Sequence, residues 1–149
     1  MRVITVQQPW AWAIIHGGKN VENRVRNLAG QYRGPLAIHA GLTGASFDGD
    51  HGDLWPFDER HVTGAIIGVV NLRATHHAEF CTEADEHGEV CSKWAEPDVW
   101  HLELDDPRAL AEPIPFRGAL GMRTLPPEVI TEVYRELNAP HTVEGTAHD

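Results

Sequence analysis

Apolar positions along the chain switch between the period of two that marks a strand and the period near 3.6 that marks a helix, and this switching predicts most of the elements. Arg2-Val3-Ile4-Thr5-Val6 is a β-branched run and predicts a strand. Gln7-Gln8-Pro9 then turns the chain into a short helix with Pro9 in its first position. Trp10, Ala13, Ile14 and Gly17 recur at helical spacing and are expected to face the core, with Trp12 and His16 one turn apart on another face. His16 fits a helix end, where the dipole favours a cation. Glycine tolerates the left-handed backbone in which helices end, so Gly17 or Gly18 is the expected stop.

Tyr32-Arg33-Gly34-Pro35-Leu36-Ala37-Ile38-His39-Ala40 carries a second apolar strand, with Tyr32 and Arg33 at its entry. The run Gly64 to Thr75 is the strongest strand signal, apolar on both faces at first and alternating later, as in a strand that crosses the core and emerges. Val99-Trp100-His101-Leu102-Glu103-Leu104 alternates and is expected to end at Asp105-Asp106-Pro107. Ile114, between Pro113 and Pro115, suits an edge or a turn. Phe116 to Thr124 predicts the last strand, with glycines where a barrel bends. A closing helix is expected from Pro126, with Ile130, Val133 and Leu137 on one face, to Asn138-Ala139-Pro140.

Between these lie a Gly-, Asp- and His-rich loop at 41–63, pinned by Trp55-Pro56-Phe57, and an acidic, histidine-rich excursion at 76–96. About six strands and two helices without βαβ alternation predict an α+β fold, a small mixed β-barrel with a short N-terminal helix and a C-terminal helix. The barrel domain is expected over 1–125, the helix packed on or beside it over 126–140, and a disordered tail over 141–149.

Charge narrows the partners. The net charge of −10 opposes binding nucleic acid over the whole surface. It is unevenly spread: residues 1–41 hold Arg2, Lys19, Arg24, Arg26 and Arg33 against Glu22, a local +4, while residues 42–112 hold 16 acids against four bases, a local −12. A polyanion is therefore drawn to the N-terminal third alone, which suits a small focused site better than a long groove. No stretch approaches 20 apolar residues, and Arg2-Val3-Ile4-Thr5-Val6 does not open a signal-length run, so a soluble cytoplasmic protein with no membrane partner is expected. In a reducing compartment Cys81 and Cys91 are expected as free thiols or metal ligands rather than a bridge.

The candidate chemistry sits just past the first helix, in Gly17-Gly18-Lys19-Asn20-Val21-Glu22-Asn23-Arg24. If the chain runs extended there, Glu22 and Arg24 share one strand face with Lys19 at its entrance. This is either a salt-bridge cluster fastening the helix end or a site. Tyr32 and Arg33 are candidates for the same pocket, or Tyr32 is a rim aromatic.

Gln8-Pro9-Trp10-Ala11 followed by Gly17-Gly18-Lys19-Asn20-Val21-Glu22-Asn23-Arg24 resembles the G-x-K-x-x-E-x-R signature of the activating signal cointegrator homology (ASCH) domain, with every fixed position filled. The strand from Tyr32 to Ala40 resembles the one that follows in that family, and Gly118-Ala119-Leu120-Gly121-Met122 its closing strand. The resemblance covers roughly residues 2–125. It implies a barrel similar to RNA-binding PUA domains, the signature in a cleft between barrel and helix, and partners in nucleic-acid or nucleotide chemistry. Members are inferred to bind RNA, some resemble ribonucleases, and one bacterial branch hydrolyses acetylated cytidine. That branch has a threonine three residues after the signature lysine; here the position is Glu22, so the amidohydrolase activity does not carry over intact.

The leading function is therefore an RNA- or nucleotide-binding protein. Lys19, Arg24, Arg26 and Arg33 supply cations, Trp10 and Tyr32 aromatic surface for a base, and Glu22 a carboxylate that holds the cations. Its partners are RNA, single-stranded nucleic acid or a nucleoside. The alternatives are a hydrolase acting on RNA or a modified nucleoside, with Lys19, Glu22 and Arg24 catalytic, and a module with an inert cleft that binds a protein partner. A proton acceptor near neutrality would require Lys19 in a dry pocket. His77, Cys81, His87 and Cys91 have the chemistry of zinc ligands, but their spacing matches no common finger and acids solvate the segment, so neither metal nor cofactor is expected.

Overall fold

The computed structural model describes residues 1–42, 62–81 and 91–141. The Trp55-Pro56-Phe57 anchor, His87 and the tail from residue 142 lie outside these. Among the described residues six strands and two helices follow in the order β1 (Arg2–Val6), α1 (Trp10–His16), β2 (Val21–Arg24), β3 (Gly34–Ala40), β4 (Ala65–His77), β5 (Trp100–Pro115), β6 (Met122–Thr124) and α2 (Pro127–Asn138), with a 3-10 turn at Ala78–Phe80. One curled sheet, a half-barrel, holds all six strands in the order β2-β5-β4-β3-β1-β6. β1 runs parallel to β3, with Val6 opposite Ala40, and every other pairing is antiparallel.

Both faces of the sheet are covered. On one, Ile4, Ile38 and Leu72 pack with Ala11, Ile14 and Ile15 of α1. On the other, Val3, Ala37, Val69 and Leu110 pack with Leu125 and with Val133 of α2. A strand buried on both sides has no polar face to alternate with, hence the unbroken burial of Ala65 to Val70. α1 and β5 close tightly on β4 at Gly68, where a Cβ would stand 2.5 Å from Ile15 Cδ1 and 2.7 Å from the Arg108 carbonyl oxygen.

β3 runs from Gly34 to Ala40, with Tyr32 and Arg33 just before it. Three sequence expectations change. Pro9 precedes α1 instead of opening it. β5 does not stop at Asp105 but continues to Pro115. Its register with β4 shifts between Asn71↔Asp105 and Val69↔Arg108, and again between Gly68↔Ala109 and Ile66↔Ile114, so Pro107 and Pro113 fall within bulges that need no ladder N–H. Asp106 sits there at φ 48. The last strand is only Met122–Thr124, because Phe116 to Gly121 runs outside the ladder. α2 packs on β5.

Candidate functional site

α1 stops at Gly17, whose N–H reaches the Ala13 carbonyl, and Gly18 follows at φ 77. The Lys19 N–H returns to the same Ala13 carbonyl at 3.0 Å, which folds the chain back and delivers Lys19 beneath α1 at the head of β2. Lys19 is 5% exposed and Glu22 8%. The Lys19 ammonium donates to the Val21 carbonyl and stands 3.8 Å from Glu22 Oε1. Its Nζ is 5.9 Å from the ring centroids of both Trp10 and Trp94, a cation–π distance. Burial pushes the ammonium below the usual lysine range, opposed by Glu22 and Glu96 and reinforced by Arg24.

Glu22 and Arg24 do share one face of β2. Glu22 Oε2 is 3.5 Å from Arg24 Nη2, and Oε1 accepts the Asn23 N–H at 3.1 Å. Arg24 Nη2 also donates to the Thr5 carbonyl at 2.7 Å. Beside this pair opens a cleft of about 920 Å³, walled by the C-terminal ends of β1 and β3, by β2 and by the segment 116–121. Glu22, Arg24, Trp10, Phe116 and Arg117 all line it.

Of the sequence candidates, Trp10, Glu22 and Arg24 meet in the cleft, while Lys19 lies behind them, outside its lining. Arg26, Tyr32 and Arg33 are also outside it. Arg26 is exposed. The Tyr32 hydroxyl donates to the Pro35 carbonyl at 2.5 Å and its ring lies 5.1 Å from the Arg2 guanidinium carbon, at the opposite end of β1 from the cleft. Arg33 turns onto the Gly30 and Tyr32 carbonyls. Closeness in sequence to the charged segment does not bring these side chains to it, because β3 runs away from its entry before reaching the cleft.

The fold adds His39, Phe116, Arg117 and Gly118, none of which sequence reasoning singled out. His39 is 1% exposed. Its Nε2–H donates to the Phe116 carbonyl at 2.7 Å, which leaves Nδ1 to accept the Thr5 hydroxyl at 3.1 Å. Burial lowers its pKa, with the Phe116 bond opposing. Gly118 presses on this pair: a Cβ there would meet His39 Cε1 at 2.7 Å and Thr5 Oγ1 at 2.8 Å. The signal available in sequence was a polar residue interrupting the apolar run of β3.

The quartet weighed above as zinc ligands, where no metal was expected, is not the group that the fold brings together. His77 turns toward Glu79, at 3.7 Å, and packs on Trp100, and His87 lies outside the described residues. His76 and His101 stand instead with Cys81 and Cys91, which form a disulfide bridge and not the free thiols or metal ligands expected. The reason is the strand period: His76 and His77 lie on opposite faces of β4, and His76 faces His101 across the β4–β5 ladder.

Among the described residues no helix is long and apolar enough to cross a membrane. Comparison with curated proteins found no match. Among solved structures the chain is similar to ASCH from Zymomonas mobilis, with a TM-score of 0.53 and 16% identity over 90% of this chain and 93% of that one. It is likewise similar to a tyrosine-to-phenylalanine variant of that protein, with a TM-score of 0.56, 16% identity and coverage of 90% and 96%. A serine-to-alanine variant gives a TM-score of 0.53, 16% identity and coverage of 90% and 94%. These likenesses show a shared fold, the PUA-like half-barrel. The ASCH domain model matches residues 4–114, well over half of the 149, and the chain belongs to the ASCH domain family.

Proposed function

We propose that this protein binds RNA or a nucleotide through the cleft beside Glu22 and Arg24. One observation carries the reading: two guanidinium groups, Arg24 and Arg117, share a cleft with the aromatic rings of Trp10 and Phe116 on a chain that is otherwise strongly acidic. Guanidinium groups recognise phosphate and aromatic faces stack on bases. The volume suits a nucleotide or one or two residues of a single strand. Glu22 acts as the anchor of Arg24, and Lys19 as the buried cation that balances Glu22 from behind.

Fluorescence polarisation with short single-stranded RNA, and Trp10 quenching by nucleoside monophosphates, test this reading. Micromolar binding that Arg24→Ala and Arg117→Ala both weaken supports it. No affinity for any RNA or nucleotide overturns it in favour of the protein-interaction reading. Product masses after incubation with RNA and acetylated cytidine test the hydrolase reading in the same samples, where Glu22 and His39 are the proton-transfer groups on the cleft wall.

A further inference from the structure

We propose that His76, Cys81, Cys91 and His101 hold a structural zinc ion that fastens the segment 91–99 over Lys19. The four side chains come from the end of β4, the turn after it, the segment before β5 and the second residue of β5, and their ligand atoms all lie within 4.8 Å of one another.

Five of the six spacings among the ligand atoms approach those of a tetrahedron, and the sixth, between the two sulfurs, is closed by the bridge and would have to open to about 3.8 Å. Zinc bonds of about 2.0–2.1 Å to nitrogen and about 2.3 Å to sulfur place two nitrogen ligands about 3.3 Å apart and a nitrogen and a sulfur about 3.6 Å apart. His76 Nε2 and His101 Nδ1 stand 3.2 Å apart. His76 Nε2 is 3.1 Å from Cys81 Sγ and 3.3 Å from Cys91 Sγ. His101 Nδ1 is 3.3 Å from Cys81 Sγ and 3.7 Å from Cys91 Sγ.

The groups behind the ligands fit as well. Zinc-bound histidines pass their other ring N–H to a carboxylate or a carbonyl. His76 Nδ1 faces Glu103 Oε2 at 3.2 Å, and His101 Nε2 faces the Glu96 carbonyl oxygen at 2.6 Å. These partners fix the tautomers that present His76 Nε2 and His101 Nδ1 to the centre. Two thiolates and two neutral imidazoles neutralise a divalent ion and close its coordination shell, the pattern of a structural site.

Binding replaces two thiol protons, which leave to solvent, and involves no oxidation or reduction. Two sulfurs bonded to each other cannot both serve as thiolates, so bridge and metal exclude one another. Protein isolated with the bridge must first be reduced by a dithiol, which takes up the disulfide in exchange. What the ion would hold is visible in the segment after Cys91: Ser92 Oγ donates to Asn20 Oδ1 at 2.5 Å, Asn23 Nδ2 to the Trp94 carbonyl at 2.9 Å, and the Glu96 N–H to Asn23 Oδ1 at 3.0 Å. Trp94 thereby covers Lys19.

The test uses the full chain, reduced with a dithiol, freed of the reductant and titrated anaerobically with zinc and, separately, cobalt(II). One zinc per chain, about two protons released, and the strong d–d and sulfur-to-cobalt bands of a tetrahedral thiolate site are expected. Cys91→Ser should weaken zinc by at least about 100-fold and Glu103→Ala by about 10–100-fold, while His77→Ala leaves it unchanged. Reduced, folded protein with two titratable thiols that takes up no zinc overturns the proposal. So does a weak octahedral cobalt spectrum, or zinc binding equally strong in the Cys81→Ser, Cys91→Ser double variant. Since Cys91→Ser could fail to fold, the cobalt spectrum of the unaltered chain decides on its own.

Discussion

The Arg24 guanidinium donates to the main-chain carbonyl of Thr5 at 2.7 Å, although β2 heads the sheet order and β1 stands fifth in it. The curl of the sheet brings these strands face to face, and one side chain ties them where no ladder does. Thr5 also gives its hydroxyl to His39, so a single residue joins the arginine of the signature to the buried histidine of the cleft. Arg24→Ala should weaken RNA or nucleotide binding at least about tenfold and cost about 1–2 kcal/mol of stability through the lost bonds to Thr5 and Glu22. Arg24→Lys should recover part of the stability and little of the affinity, since an ammonium lacks the planar fork. Polarisation titrations and urea midpoints on the three proteins check both.

Lys19 should behave differently. Its side chain is only 4% exposed and faces a Glu22 side chain only 10% exposed, so Lys19→Ala leaves a buried carboxylate without its nearest ammonium and should cost about 3 kcal/mol. If Lys19→Ala instead unfolds at the same urea concentration as the unaltered protein and loses only ligand binding, Lys19 belongs to the binding surface and not to its support.

His39 makes stability depend on pH with a definite sign. Burial holds its folded pKa below the ordinary 6.5. Above 6.5 the ring is neutral in both states; below it the unfolded chain takes a proton that the folded chain refuses, and stability declines until the folded pKa is reached. The slope from this one group is at most about 1.4 kcal/mol per pH unit. Urea midpoints of the unaltered protein and His39→Gln should therefore converge between pH 7.5 and 5.5, and parallel curves would show that folding leaves the His39 pKa unchanged.

Two glycines of the cleft wall separate packing from backbone strain. Gly118→Ala forces a methyl against His39 and Thr5 and should cost about 1–3 kcal/mol while distorting the cleft. Gly121, at φ 76 with no atom near its missing Cβ, should lose about 1–2 kcal/mol on substitution by alanine from backbone strain alone, with the Gly118–His39 contact intact. Binding measured on both variants should fall more for Gly118→Ala.

Salt dependence follows from the number of cations in the cleft. With Arg24 and Arg117 as phosphate contacts, the logarithm of the RNA association constant should fall with the logarithm of salt at a slope of about −1.4. A slope of −3 or steeper would require contacts well beyond this cleft.

Much of the fold was legible because its signals are local. Val3 to Val6, the Ala65 to Val70 run and the apolar stripe of α2 each declare their element within a few residues. β5 was cut short because Asp105-Asp106-Pro107 has the chemistry of a turn, and only the partner strand shows that a bulge accommodates it. The site was legible where it is contiguous, from Lys19 to Arg24. His39, Phe116 and Gly118 were not, since their meeting depends on the curl of the sheet. His76 and His101 were hidden for a related reason: they are 25 residues apart, and which of two adjacent histidines faces His101 depends on register.

β1 lies far ahead in the chain of the strand that completes it. Its residues 2–6 pair with 36–40 on one side and, from Arg2 to Ile4, with 122–124 on the other. During synthesis one edge of β1 therefore stays open until residues 122–124 have emerged, an edge of the kind that recruits other strands. Truncated or stalled chains lacking β6 would expose that edge together with the face that α2 covers. For this protein, loss of the C-terminal segment is thus expected to be read out as aggregation before it is read out as loss of binding.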